Sequence, residues 1–204
     1  MYKKSENTGF WKDSQVGIVT KLTNDQQMYT NLSNLIQETT KKSKEESLAI
    51  SQKFTKEIEK KLSKNLSDLT EIFSSLDDVT HSQPIYLSNI PFVSLCEHHL
   101  LPFFGSFDIA VFPKNKIAGI SKFSDLIYYL SNDLTLQEKI TQMVAEIIQE
   151  ELNPEGVLTR VTAKHLCADL MNPKSSISDV ITTFSTGVYE LDYSLRSEAL
   201  TNFK

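Results

Sequence analysis

The side chains best able to bind a metal or move a proton fall in two short segments of this chain, Cys96-Glu97-His98-His99 and His165-Leu166-Cys167. The chain has 2 cysteines and 4 histidines, and of these only His81 lies outside the two segments. Cys96 and His99 are three apart, so one tight turn can aim both at a point, and Cys167 can join them from a neighbouring strand. Two thiolates and one imidazole make a three-ligand zinc site with a position left for water. Zinc lowers the pKa of that water enough to supply hydroxide near neutral pH. A fourth ligand would instead close a structural site, and His98 and His165 are the nearby candidates. Left free, those imidazoles titrate in the range that suits proton delivery and removal near neutrality. His165 precedes Cys167 by two residues, so on a strand both would face the same way. His98, on a turn, would point away from its ligating neighbour. Glu97 reads equally well as a carboxylate that holds a ligating histidine and as a plain solvated acid. Thiols in this company fit a reducing compartment better than a disulfide, with buried small hydrophobes as the plain alternative. The cytoplasm is the expected location.

The elements that must carry these groups can be read from the hydrophobic pattern. A chain of 204 residues with 40% hydrophobic and 23% charged residues has the composition of an ordinary globular protein. A net charge of −5 argues against a general nucleic-acid binder. No apolar run approaches the roughly 18 residues that span a bilayer, and Met1 to Thr20 lacks the apolar core of a secretory signal. Residues 1–22, with the lone Trp11, read as a flexible arm. Residues 23–78 read as a helical hairpin. Thr23, Asn24 and Asp25 offer N-cap oxygens, Leu32, Leu35 and Ile36 share a face, and a polar break falls at Thr40 to Ser43. Leu48, Ile50, Phe54, Ile58, Leu62, Leu66, Leu69, Ile72, Phe73 and Leu76 then continue one apolar stripe, which needs a partner to cover it. Asp77 to Pro84 reads as a linker with a solvated His81.

Residues 79–204 read as the domain that holds both segments. Strands are expected at 85–95, 103–112, 117–120, 157–167 and 177–189. Helices are expected from Lys122, capped by Ser121, and from Thr135 to Leu152, stopped by Asn153-Pro154-Glu155-Gly156, with a terminal one from Ser194 to Phe203. Strand pairs that each continue past helices give an α+β layered domain.

Four motifs, in order and at matching spacing, resemble GTP cyclohydrolase I: Cys96 to Gly105, Gly119-Ile120-Ser121-Lys122, Leu136-Gln137-Glu138 and His165-Leu166-Cys167. The similarity runs from about residue 85 to the end. It implies the tunnelling fold, an antiparallel sheet with two helices packed on one face, here preceded by the N-terminal helical segment. It also implies a ring homo-oligomer, often a decamer, with active sites between subunits. Zn2+ would be held by Cys96, His99 and Cys167. Its water would attack C8 of guanine, with His165 protonating N7 and His98 helping to open the ribose. Glu138 would hold the amino and ring N–H edge of guanine, with Gln137 beside it. A carboxylate suits two adjacent N–H donors because it accepts both at once. Ser121 and Lys122 would meet the sugar and phosphate end. The implied product is dihydroneopterin triphosphate, with formate released; no nucleic acid or membrane partner is implied.

The chain departs from the family pattern where the triphosphate is gripped. Asp125 and Met171 stand where the family carries arginines, and no Thr-Pro-x-Arg-Val segment occurs in residues 60–84. Each charged hydrogen bond is worth roughly 1.5–3 kcal/mol, so the two losses would weaken triphosphate binding by orders of magnitude. Two readings follow. In one, Lys122, Lys174 and Arg160 substitute and GTP remains the substrate. In the other, the same ring opening acts on a guanine derivative without the triphosphate. A non-catalytic relative that binds a purine or a protein is a third, opposed by the retained histidines.

Overall fold

The structure is a computed structural model that describes residues 25–64, 69, 71–78, 81–171 and 179–203. The expected arm at 1–22, the caps Thr23 and Asn24, Leu66 and Lys174 lie outside the described residues. The chain divides into two compact units, one up to Glu59 and one from Lys60 onward.

The first unit is a helical hairpin of α1 (Asp25–Thr39) and α2 (Lys44–Leu62), the latter up to Glu59. A capping box starts α2: Glu46 N–H donates to Ser43 Oγ at 3.2 Å and Ser43 N–H to Glu46 Oε2 at 2.9 Å. The buried residues are small and polar. Ser33 lies on α1, Ser47, Ser51 and Thr55 recur every four residues on α2, and Ser51 Oγ donates to Tyr29 O at 2.8 Å. Leu35, Leu48, Ile50 and Phe54, apolar positions expected to need a cover, are exposed. Nor does α2 run to Leu76; it ends at Leu62, before Ser63, a weaker helix former. Ile72 and Phe73 are buried in the second unit, where Phe73 meets Phe123 edge-on at 6.2 Å.

In the second unit, the expected linker opens with a short pairing. β1 (Asp77–Asp78) runs antiparallel to β4 (Lys116–Ile117), with Asp78 opposite Lys116. The main sheet has five strands in the order β5-β2-β3-β6-β7. β2 (Ile85–Cys96), β3 (Pro102–Phe112), β6 (Gly156–His165) and β7 (Val180–Ser185) are antiparallel neighbours, and β5 (Leu134–Thr135) adds a short parallel pair to the end of β2. A bulge falls between Leu87 and Ile90. It explains why the inward residues of β2 change parity, from Ile85 and Leu87 to Ile90, Phe92 and Ser94. Asn89 takes φ 61° there, and its N–H donates to the buried Asp108 Oδ1 at 3.0 Å. Arg160 Nε donates to Asp108 Oδ2 at 2.9 Å.

The two long helices, α3 (Ile120–Ser131) on β2 and α4 (Gln137–Leu152) on β6 and β7, pack against the sheet. Leu126, Ile127, Ile140, Val144 and Ile148 from the helices, with Phe103, Phe107 and Ile109 from β3, are fully buried. Helical cover is not confined to that side. Ala110 and Leu158 point the other way and pack with Tyr189, Ala199 and Phe203 from α6 (Val188–Leu191), α7 (Tyr193–Asn202) and the residue after it. The expected final strand to Tyr189 therefore stops at Ser185, and Tyr189 anchors a short helix instead. Ser121 and Thr135 are not the helix caps: Gly119 and Leu136 hold those positions. Asn153, left-handed at φ 47°, ends α4 at the expected stop.

The last difference bears on the site. β6 was expected to reach Cys167 but ends at His165, where α5 (Leu166–Met171) begins. The register places His165 opposite Phe103, so Leu166 would next pair with Pro102, which has no N–H to offer. Leu166, Ala168, Leu170 and Met171 are good helix formers and take over.

Candidate metal and proton-transfer site

Cys96 is the buried last residue of β2. The chain then turns tightly: Cys96 N–H donates to Leu101 O and Leu100 N–H to Cys96 O, both at 2.9 Å. Leu100 accepts a left-handed φ of 57° to close the loop. The turn is fastened from outside as well. Glu97 N–H donates to Thr135 O at 3.2 Å, and Lys139 Nζ donates to both carboxylate oxygens of Glu97 at 2.9 and 3.0 Å. Of the two readings of Glu97, the solvated acid is the one that fits: its side chain is exposed and pairs with Lys139, which ties the turn to α4.

That turn brings His99 back beside Cys96, and the start of α5 brings Cys167 to meet them. One ligand atom from each of Cys96, His99 and Cys167 lies within 4.8 Å of the others. Both thiols are free. Two sulfurs about 2.3 Å from one tetrahedral zinc stand about 3.8 Å apart, so a contraction of about 1 Å would close this set around an ion. Donor chemistry and spacing fit a metal, and this group needs no fourth protein ligand to form.

His165 stands at the end of β6, its ring stacked on Phe103 at 4.9 Å and 10°. Its Nε2 is 2.7 Å from Gln137 Oε1. Burial holds its pKa below the usual histidine value, while the nearby Glu138 carboxylate opposes that shift. Gln137 and Glu138 both open α4 but diverge. Glu138 is exposed; Gln137 is buried, and its Nε2 lies 2.9 Å from Val180 O, 3.1 Å from Thr182 Oγ1 and 3.3 Å from Val161 O. His98 is exposed, its ring 6.0 Å from that of His99.

The structure thus gathers Cys96, His99 and Cys167, and puts Glu138 within electrostatic reach of His165. Ser121 and Lys122 lie elsewhere, in the first turn of α3. Lys122 and Asp125 line a cavity of about 630 Å³ together with Glu71, Tyr128 and Asn132, and no member of the Cys96 group lines it. Met171 ends α5 with its side chain exposed. Two supporting residues escaped the sequence reading. Lys139 carries no local signal that it reaches back to Glu97. Asp133 accepts Leu134 N–H at its carboxylate and Ser94 Oγ–H at its backbone carbonyl, fixing the strand that leads to Cys96.

A protein-family model described as GTP cyclohydrolase I matches residues 28–204, so the match takes in the helical hairpin that the motifs left outside. GTP cyclohydrolase 1 of Latilactobacillus sakei is 39% identical over 125 residues, 61% of this chain and 66% of that one. The protein of that name from Clostridioides difficile is 42% identical over 124 residues, covering 60% and 65%. That from Fusobacterium nucleatum is 39% identical over 137 residues, covering 67% and 73%. The aligned part thus spans slightly less than two thirds of the first two relatives. Among solved structures, the apo form of the archaeosine synthase QueF-like protein gives a TM-score of 0.43 at 15% identity, over 53% of this chain and 97% of that one, a likeness too slight to bear on the fold.

Proposed function

The chain belongs to the GTP cyclohydrolase I family, and from that premise we propose that it is a zinc-dependent cyclohydrolase that opens a guanine ring at C8 and releases formate. The observation that carries this reading is the convergence of Cys96, His99 and Cys167 within 4.8 Å. Zinc held there would supply a water acidic enough to act as a nucleophile near neutral pH. The remaining work falls to the chain itself. His165, held against Phe103, takes up the proton that the attacking water gives up and delivers it to N7 as the N7–C8 bond breaks. Glu138, exposed on the first turn of α4, accepts the two N–H donors of the guanine edge. His98, free of metal duty, serves the ribose. The family's tunnelling fold and ring assembly belong to the same proposal. They are supported by the open edge of β7 among the described residues and by Val93, Phe104 and Ile181, exposed on the sheet face away from α3 and α4.

A second reading, with a substrate lacking the triphosphate, is favoured by one observation. Arg160, a candidate replacement for the missing clamps, is already committed: its guanidinium bonds the buried Asp108 and lies 5.0 Å from the Phe203 ring. Lys122 shares its cavity with Asp125 and Glu71.

A substrate panel separates the readings. Zinc-loaded protein is incubated with GTP, guanosine and guanine, and formate and pterin fluorescence are followed. Formate from GTP at micromolar KM establishes the first reading; formate from guanosine or guanine alone establishes the second. Release from none of them, at full zinc loading, overturns both.

A further inference from the structure

The buried Gln137 has a task that its neighbour Glu138 does not share. Its side chain lies among fixed partners. Val161 O and Val180 O are backbone carbonyls, which only accept hydrogen bonds. The amide must therefore turn its NH2 toward them, at 3.3 and 2.9 Å, with Thr182 Oγ1 as a third acceptor at 3.1 Å. The hydroxyls beyond close the arrangement. Thr182 Oγ1 and Thr141 Oγ1 are 2.7 Å apart, and Thr141 Oγ1 donates to Gln137 O at 2.6 Å. Thr182 thus gives its proton to Thr141 and is left to accept from Gln137. The amide cannot flip without setting its oxygen against two carbonyls.

One consequence follows for the partner on the other end. Oε1 of Gln137 faces His165 Nε2 at 2.7 Å, and an amide oxygen only accepts. His165 must therefore carry its proton on Nε2 in the neutral ring, leaving Nδ1 as the nitrogen with the lone pair. The Phe103 stack at 10° fixes the plane of that ring, and the Gln137 bond fixes its rotation within the plane. We propose that Gln137 is a positioning residue that locks the tautomer and orientation of His165, so that Nδ1 is the atom that exchanges protons with the substrate. Gln137 itself does not hold the guanine; its donors are spent inside the protein. The role in the reaction rests on the proposed cyclohydrolase function, whereas the tautomer rests on the hydrogen bonds alone.

The test uses full-length, zinc-loaded protein labelled with 15N-histidine, with His165 assigned by its loss in His165→Ala. In mildly alkaline buffer the wild-type ring is expected in the Nε2–H tautomer. Gln137→Met, which keeps the volume and removes the oxygen, is expected to give a mixture of both tautomers at unchanged zinc content. Its kcat should fall by about 10- to 100-fold, inside the range that a positioned acid or base supplies, while KM stays within about threefold. A wild-type Nδ1–H tautomer overturns the proposal, and so does an unchanged tautomer in Gln137→Met. A raised KM at constant kcat overturns it too, since that would make Gln137 a substrate contact. If Gln137→Met does not fold, the wild-type spectrum alone decides. If no purine is turned over, the spectra still report the tautomer, so failure of the enzyme reading is distinguishable from failure of this one.

Discussion

Cys167 carries a strict positional demand. It comes from a short helix some seventy residues after its partners. With only three ligands in the set, each is needed, since two protein donors hold zinc far more weakly than three. Cys167→Ala is expected to purify without zinc, measured as metal per chain, and without activity. His165→Ala should lose activity and keep its metal; loss of the metal as well would make His165 a ligand and the site structural. Tyr189 tests a different kind of residue. Its hydroxyl is fully buried without a hydrogen-bond partner, and burial, aided by Tyr86 and Glu198, pushes its pKa well above the usual tyrosine value of 10.0. The folded state thus keeps a proton that the unfolded chain releases above that pH. Stability is full below it and falls as the pH rises past it. Tyr189→Phe should remove an orphaned hydroxyl, raise stability by about 1 kcal/mol, and flatten that alkaline limb in urea titrations.

At the scale of elements, the site depends on the register between β3 and β6, which sets His165 opposite Phe103. Gly105 is part of how that register is held. A Cβ there would lie 1.9 Å from Thr162 O, so no other residue lets the two strands pair this closely. Asp108, three residues further along β3, holds the bulge of β2 and the Arg160 guanidinium at once. Asp108→Ala would leave Arg160 without its buried counter-charge and the Asn89 N–H without its acceptor. A loss of about 3–5 kcal/mol is expected, read as a lower urea midpoint at unchanged slope. The Lys139–Glu97 pair is more exposed, and its removal should cost less than about 1 kcal/mol.

For the whole molecule, the sheet is the unfinished part. β7 ends it with one edge open among the described residues, and Ile181 is 62% exposed on a face where only the Ala110 and Leu158 end is covered. If copies of this chain close a ring, that face and edge lie against other subunits. Ile181→Asp is then expected to shift the assembly to smaller species in light scattering after size exclusion, with the circular dichroism of the folded chain retained. An unchanged assembly would place the contact elsewhere.

The sequence by itself picked out the candidate donors. Cysteine and histidine are scarce here, so their collection into two segments already named the donors, and strand alternation and the Asn-Pro-Glu-Gly stop already marked most of the sheet and α4. Tertiary structure decided how the donors meet. That Cys167 stands on a helix follows from Pro102, a residue on another strand with no N–H to extend the ladder. That Gln137 turns inward while Glu138 stays outside follows from carbonyls of β6 and β7, far away in the chain. The small residues that close the first hairpin, and the second layer over Ala110, were hidden for the same reason: local pattern reports which residues are apolar, whereas the distance between two backbones depends on both of them. Pairing across the chain is set by partners that no local window contains.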